Sequence, residues 1–211
     1  MKQYATIFLD WNKTLSHSKF WGHWQEINHP HNHIFKNIQS TLFGISSERI
    51  NDWMRGKYTT EQIIDYVSKQ THQNYHLLLN ELIKSYQTME YSSPRIPKLI
   101  KDLRAKGTKV VIATDNMDSF TRWTVPALKL DTLFDGVLNS YELKILKTDV
   151  DEKGKSIFFK KGVKRNYTVK NSVLIDDNIV IESIIRKSNI DFLHVTQERG
   201  LEKYLKQLLR S

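Results

Sequence analysis

Three short apolar segments of this chain end on acidic, hydroxyl and amide residues that could form one active site. Apolar and β-branched residues dominate segments 6–9, 109–113 and 172–175, and such runs are typical of buried parallel strands. The polar residues that follow them are Asp10, then Thr114, Asp115 and Asn116, then Asp176 and Asp177. Open α/β sheets form their active sites where the carboxyl ends of the strands meet. We therefore interpret these residues as one constellation, and the protein as an enzyme.

The remaining pattern predicts an α/β fold, with a Rossmann-like parallel sheet and helices on both of its faces. Further strands are predicted at 136–139 and 192–195, and helices at about 96–107, 119–129, 179–188 and 200–210. Segment 156–161 fits either a strand or the start of a helix. Single helices between successive strands favour parallel pairing with right-handed crossovers. Residues 1–14 and 92–211 are predicted to form this catalytic core.

Residues 15–91, which we call the helical insert, have a different pattern. Apolar residues recur at helical spacing over about 31–43, 47–55, 60–71 and 75–90, and Ser46 and Thr59 are candidate N-caps. An insert between the first two core strands lies above their carboxyl ends. It is therefore expected to cover the site as a cap.

Composition narrows the class of protein. The 211 residues contain no Cys, which excludes disulfides and thiolate chemistry, and the chain has a net charge of +9. There is no apolar run of roughly 18 residues for a membrane span, and no apolar stretch that would form a signal peptide precedes the first strand. A cytoplasmic protein without a membrane partner is expected. Residues 144–170 carry nine basic and three acidic residues, which suits a phosphorylated substrate or a nucleic acid.

Four short motifs together resemble those of the haloacid dehalogenase (HAD) superfamily. They are Asp10-x-Asn12-x-Thr14-Leu15, Thr114 after an apolar strand, Lys147, and the pair Asp176-Asp177. Each motif is weak alone, but the order, strand context and spacing agree over nearly the whole chain. The position of the helical insert is similar to that of the helical C1-type cap of this superfamily.

The resemblance implies a phosphatase that acts through an aspartyl-phosphate on a small phosphorylated metabolite. It assigns the nucleophile to Asp10, a phosphate hydrogen bond to Thr114, and a neutralising charge to Lys147, with Lys144 as the alternative. It places Asp115 and Asn116 beside the substrate. It implies a Mg²⁺ site formed by Asp10, the backbone carbonyl of Asn12, Asp176 and Asp177.

Asn12 departs from the motif, because phosphatases of the superfamily usually carry a second Asp there as general acid and base. An amide can only form hydrogen bonds, and losing a general acid typically costs about 10²–10⁴-fold in rate. Three explanations are open: another group such as His17 or His23 supplies the proton, the protein is a slow or inactive phospholigand-binding protein, or Asn12 is an engineered replacement.

Two further features concern partners. Phe20, Trp21 and Trp24 follow the first motif and could face a ring-bearing substrate, although helical spacing favours a core role. A nucleic-acid function is the rival from a different class. In that function, the basic residues of 144–170 would contact a phosphate backbone, and Phe158, Phe159 and Tyr167 would stack on bases. No recognisable nucleic-acid motif supports this function.

Overall fold

The fold is built around a five-stranded parallel sheet. The structure is a computed structural model, and it describes residues 2–44, 48–163, 168–198 and 200–211. The strand order is β3-β2-β1-β4-β5, and all four pairings are parallel. The strands are β1 (Thr6–Leu9), β2 (Lys109–Thr114), β3 (Gly136–Asn139), β4 (Ser172–Asp176) and β5 (Asp191–His194). Every residue of β1 and β4 is buried, as their apolar sequences predict.

Helices cover both faces of the sheet, so the predicted fold class is confirmed. Alternate residues of β1 point to opposite faces: Ile7 and Leu9 belong to one apolar cluster, whereas Phe8 belongs to another. The core helices are α5 (Ile96–Ala105), α6 (Val125–Ala127), α7 (Leu130–Leu133), α8 (Ser140–Leu143), α9 (Ile157–Val163), α10 (Glu182–Lys187) and α11 (Leu201–Leu209). Two apolar layers thus fix the sheet from both sides.

Between β1 and α5, the described part of the chain forms helices and turns without a named strand. After a 3₁₀ turn at Gly22–Trp24 come α1 (Asn32–Phe43), α2 (Glu48–Met54), α3 (Thr60–Thr71) and α4 (Tyr75–Gln87). Thr59 caps α3 through a reciprocal bond pair with Gln62, which confirms the predicted cap. The other candidate cap, Ser46, lies outside the described residues.

Three predicted core elements differ in detail. The helix expected over 119–129 is a π-helical turn at Phe120–Thr124 followed by α6, because Pro126 lacks the N–H that a regular helix would use. Of segment 156–161, residues 157–161 form the start of α9, whereas Ser156 forms an isolated bridge with Val150. The segment 179–188 begins as a 3₁₀ turn before α10. None of the helices in the described ranges has the length and apolar character needed to cross a bilayer.

The burial of Phe158 and Phe159 excludes the base-stacking role that the rival nucleic-acid function would give them. Both rings are at most 1% exposed and contact each other beneath the sheet, where Phe159 also contacts Phe8. They are therefore core residues, and neither can stack on a base. Tyr167, the third residue of that expectation, lies outside the described residues.

Candidate active site

Asp10 lies where β1 ends, in the middle of the sheet. Its backbone N–H donates to the Ile175 carbonyl of β4, and its own carbonyl accepts from Leu15 N. The chain then folds tightly on itself, since Ser16 N donates to Trp11 O and Lys13 N donates to Ser16 O. The Trp11 side chain is fully buried and anchors this turn. The carboxylate of Asp10 is thus held at the carboxyl edge of the sheet.

Lys147 joins the ends of β1 and β4. Its Nζ atom lies 2.8 Å from Oδ1 of Asp10 and 2.6 Å from Oδ2 of Asp176, and all three side chains are at most 8% exposed. Lys144, the alternative considered from the sequence, lies over the Tyr141 ring and reaches the Gly56 carbonyl. The structure therefore places Lys147, and not Lys144, among the carboxylates.

Asp177 completes a group that could hold a cation. One carboxylate oxygen from each of Asp10, Asp176 and Asp177 lies within 4.8 Å of the others. When ionised, these three carboxylates and the Lys147 ammonium leave two negative charges uncompensated. A hard divalent cation with oxygen ligands, such as Mg²⁺, matches both the charge and the donor type. The residues present therefore fit the predicted cofactor.

Burial is the largest cause of the raised pKa values of Asp10 and Asp177. It raises the pKa of Asp10 to about 7, because the Lys147 ammonium offsets the loss of solvent only in part and Asp176 adds repulsion. Burial and the neighbouring Asp176 also raise the pKa of Asp177. Burial alone would lower the pKa of Lys147, but the carboxylates of Asp10 and Asp176 raise it above its usual range. The ammonium is thus present at neutral pH.

The end of β2 contributes polar groups beside this cluster. The Thr114 side chain is fully buried, and neither its Oγ1 nor Nδ2 of Asn116 has a hydrogen-bond partner among the described residues. Buried polar groups usually have partners, so these two are available to a ligand. The Oδ1 atom of Asp115 accepts from Lys147 N, which joins the end of β2 to the loop bearing Lys147. Burial raises the pKa of Asp115 to about 6.

Asn12 lies at the rim of the site and is partly exposed. It lines a cavity together with His17, whereas His23 is engaged elsewhere. The His23 Nδ1 atom lies 2.6 Å from Glu81 and its Nε2 atom 3.1 Å from Thr88 Oγ1, so both ring nitrogens have partners inside the helical insert. Of the two histidines considered as proton donors, only His17 shares a cavity with Asn12.

The structure divides the aromatic residues that follow the first motif. Trp21 and Trp24 are at most 3% exposed, and Trp21 Nε1 donates to Leu78 O. They belong to the core of the insert. Phe20 is partly exposed and lines the same cavity as Asn12.

Sequence reasoning missed the residues that hold the loop bearing Lys147. Ser156 Oγ donates to the Lys147 carbonyl, and Asp149 accepts from Leu146 N and from Arg55 of the helical insert. These contacts join segments separated by up to 94 residues. Neither Ser156 nor the ion pair of Arg55 with Asp149 belongs to a sequence motif, so no pattern in the sequence would have identified them.

Solved structures share the fold of this chain at low sequence identity. A predicted HAD-like family hydrolase from Porphyromonas gingivalis superposes with a TM-score of 0.73 over 100% of both chains, at 15% sequence identity. The chain has the HAD fold. At this level of identity the likeness establishes the fold alone.

Other solved structures share the HAD fold but differ in their chemistry. A HAD family enzyme from Bacteroides thetaiotaomicron, in complex with magnesium and inorganic phosphate, has a TM-score of 0.62 and 15% identity over 92% of this chain and 94% of its own. The L-2-haloacid dehalogenase from Xanthobacter autotrophicus has a TM-score of 0.64 and 12% identity over 98% of this chain and 88% of its own. No family model and no curated protein matches the sequence. The choice between these chemistries therefore depends on the site residues.

Proposed function

We propose that the protein is a Mg²⁺-dependent phosphatase acting on a small phosphomonoester through Asp10. The observation that carries this proposal is the convergence of Asp10, Asp176 and Asp177 within reach of one cation, with Lys147 between the first two. The solved Bacteroides enzyme with magnesium and phosphate supports the same chemistry on the same fold. The adjacent carboxylates of Asp176 and Asp177 favour this function over dehalogenation, which does not use a metal.

The proposed reaction has two steps. A carboxylate oxygen of Asp10 attacks phosphorus, the bond from phosphorus to the ester oxygen breaks, and the leaving alcohol takes a proton. Water then attacks the aspartyl-phosphate, so that inorganic phosphate leaves and the Asp10 carboxylate is regenerated. Lys147 and the hydroxyl of Thr114 contact the phosphoryl oxygens, and Mg²⁺ supplies charge neutralisation when bound by Asp10, the Asn12 carbonyl, Asp176 and Asp177.

The leaving oxygen cannot take its proton from Asn12, because an amide is not an acid at ordinary pH. His17 lines the cavity that Asn12 also lines. We therefore propose His17, or water, as the proton source. We also propose that residues 15–91 act as a cap over the site.

A second candidate function is a phospholigand-binding protein with little turnover, which the amide at position 12 favours. In that case phosphate binds, but the aspartyl-phosphate lacks a base for its hydrolysis. Binding of phosphate without release of product from any ester would identify this function.

Release of phosphate from p-nitrophenyl phosphate, with Mg²⁺ or with EDTA, tests the proposal. We expect turnover only with Mg²⁺, and none from Asp10→Ala, while the surface variant Asp102→Ala behaves like the wild type. Calorimetric titration with Mg²⁺ gives a readout independent of turnover. Metal-dependent turnover that survives in Asp10→Ala would show that the nucleophile is another residue.

A further inference from the structure

A cavity of about 440 Å³ opens beside Asn12, between the turn that follows β1 and the end of α1. Asn12, Lys13 and His17 line it from the turn, and Phe43 lines it from α1. Asn12 belongs both to the lining of this cavity and to the first motif, two residues after Asp10 in the chain. The cavity is on the side of Asn12, where an alcohol leaving group would need its proton.

One wall of this cavity is a stack of rings. Phe43 stacks on Phe20 with centroids 6.0 Å apart and an interplanar angle of 24°, and Phe20 stacks on Tyr86 at 5.0 Å and 25°. Tyr86 is fully buried, so it fixes the orientation of Phe20. Phe43 remains 37% exposed at the open end of the stack. Such a wall favours a planar ring, which can extend the stack.

The rest of the lining is polar and includes two lysine side chains. Lys13, His17 and Lys19 all line the cavity, and no carboxylate of a described residue does. Neither Lys13 Nζ nor Lys19 Nζ forms a hydrogen bond or salt bridge with another described residue. Lys13 and His17 also line a second cavity together with Asp177. The ammonium groups of Lys13 and Lys19 favour a second anionic group on the substrate, in addition to the phosphoryl group that Lys147 is proposed to contact.

We propose that the cavity receives the leaving group, and that the substrate is a phosphomonoester whose leaving group carries a planar ring and a second anionic group. The ring extends the stack of Phe43, Phe20 and Tyr86. The anion, a carboxylate or a second phosphate, lies against Lys13 and Lys19. This inference rests on the proposed phosphatase function, because it assigns the substrate class of the same site.

The test compares benzylphosphonates that differ in the substituent opposite the phosphonate arm. Calorimetry in Mg²⁺ measures the affinity for 4-carboxybenzylphosphonate, for its neutral 4-carboxamide, and for 4-phosphonobenzylphosphonate, which separates carboxylate from phosphate. We expect both charged probes to bind about three- to tenfold more tightly than the carboxamide, as two exposed ion pairs allow. The preference should shrink at high salt.

Variants then locate the preference. The double variant Lys13→Gln with Lys19→Gln should bring the affinity ratio close to one, whereas Lys36→Gln, an exposed position on α1 outside the cavity, should leave the ratio unchanged. Phe43→Ala should lower the affinity for benzylphosphonate but not for methylphosphonate. Phe43 is exposed enough for this change to leave the core intact.

Different results would contradict the substrate class and the phosphatase function. Equal affinity for charged and neutral probes, with Mg²⁺-dependent hydrolysis of p-nitrophenyl phosphate intact, would overturn the substrate class alone. A preference that persists in the double lysine variant would also overturn it. Absence of hydrolysis and of binding by every phosphonate would overturn the proposed function together with the substrate class.

Discussion

Arg55 of the helical insert and Asp149 of the core form a two-point ion pair. The guanidinium Nε and Nη2 atoms donate to the two carboxylate oxygens at 3.1 and 2.7 Å. Oδ2 of Asp149 also accepts from Leu146 N at 2.8 Å, so the pair holds the residue that precedes Lys147. The insert and the loop bearing the buried lysine are thus directly joined.

We expect Arg55→Met to lower kcat for p-nitrophenyl phosphate by about three- to tenfold, because a loosened loop positions Lys147 less well. The control is Arg104→Met, which removes a two-point pair with Asp135 of similar exposure, together with two hydrogen bonds from Arg104 to backbone carbonyls. Asp135 accepts from Val110 N at the start of β2, far along the strand from the site. Steady-state kinetics and thermal unfolding of both variants check this. Equal kcat in the two variants would rule out a role for Arg55 in positioning Lys147.

Mg²⁺ should stabilise the protein through the carboxylate group. At a concentration 100 times Kd, a ligand that binds only the folded state adds about 2.7 kcal/mol, which corresponds to a Tm increase of roughly 5–10 °C for a chain of this size. Asp176→Asn should lose this increase, while retaining an oxygen to accept from Asn178 N. Asp102→Asn, which alters an exposed ion pair on α5, should keep it. An undiminished Tm increase in Asp176→Asn would exclude that residue as a ligand.

Thr114→Val should separate stability from ligand binding. The Thr114 hydroxyl is fully buried without a partner among the described residues, so replacing it with a methyl group should raise the free energy of unfolding by about 1 kcal/mol. The same change should weaken inorganic phosphate binding about tenfold, because the proposed hydrogen bond is lost.

Thr6→Val is the control for Thr114→Val. Thr6 begins β1, at the opposite end of the sheet, and its hydroxyl is equally buried and unpartnered among the described residues. Denaturant unfolding should show a similar gain in stability, and calorimetry should show unchanged phosphate binding. Equal phosphate affinities in the two variants would remove Thr114 from the proposed site.

If water is the proton source in the wild type, Asn12→Asp should raise turnover of a phosphate ester by about 10²–10⁴-fold, since it restores a general acid and base beside Asp10. Asn12→Ala, which removes the amide without adding an acid, should give no increase. Rapid-quench kinetics on the wild type should show accumulation of phosphorylated protein, because its second step lacks a base. If turnover does not rise in Asn12→Asp, another group already supplies the proton, and His17→Gln should then lower kcat.

Asp118 should be the main electrostatic contact between the helical insert and the core. Its buried carboxylate accepts from Trp53 Nε1 at 2.8 Å and from Thr60 Oγ1 at 2.7 Å, and it pairs with Arg122 at 3.0 Å. Asp118→Ala leaves these donors without their acceptor, so we expect a loss of about 3 kcal/mol in the free energy of unfolding. Asp131→Ala, at an exposed position of α7, should cost less than 0.5 kcal/mol, roughly the range for surface changes. Denaturant unfolding of both variants measures the difference.

Local pattern was enough to predict the sheet and the residues at its carboxyl edge. The strands that end on Asp10, Thr114 and Asp176 are buried on both faces, so each appears in the sequence as an apolar run followed by a polar residue. Parallel pairing then brings the three strand ends to one edge. The helical caps and turns near Thr59 are equally local, because their hydrogen bonds join residues a few positions apart.

The side-chain contacts between distant segments were decided by tertiary packing alone. The sequence left open whether Phe158 and Phe159 stack on bases, because a ring beside lysines has the same sequence pattern whether it faces a ligand or the underside of a sheet. The contacts of Asp149 with Arg55, of Asp118 with Trp53, and of Phe20 with Phe43 join segments with no shared local pattern. The sequence by itself determined which residue types end the central strands, since burial of a strand imposes a pattern on its own residues. Only the folded chain determined which side chains surround them, because such contacts depend on the relative positions of distant segments.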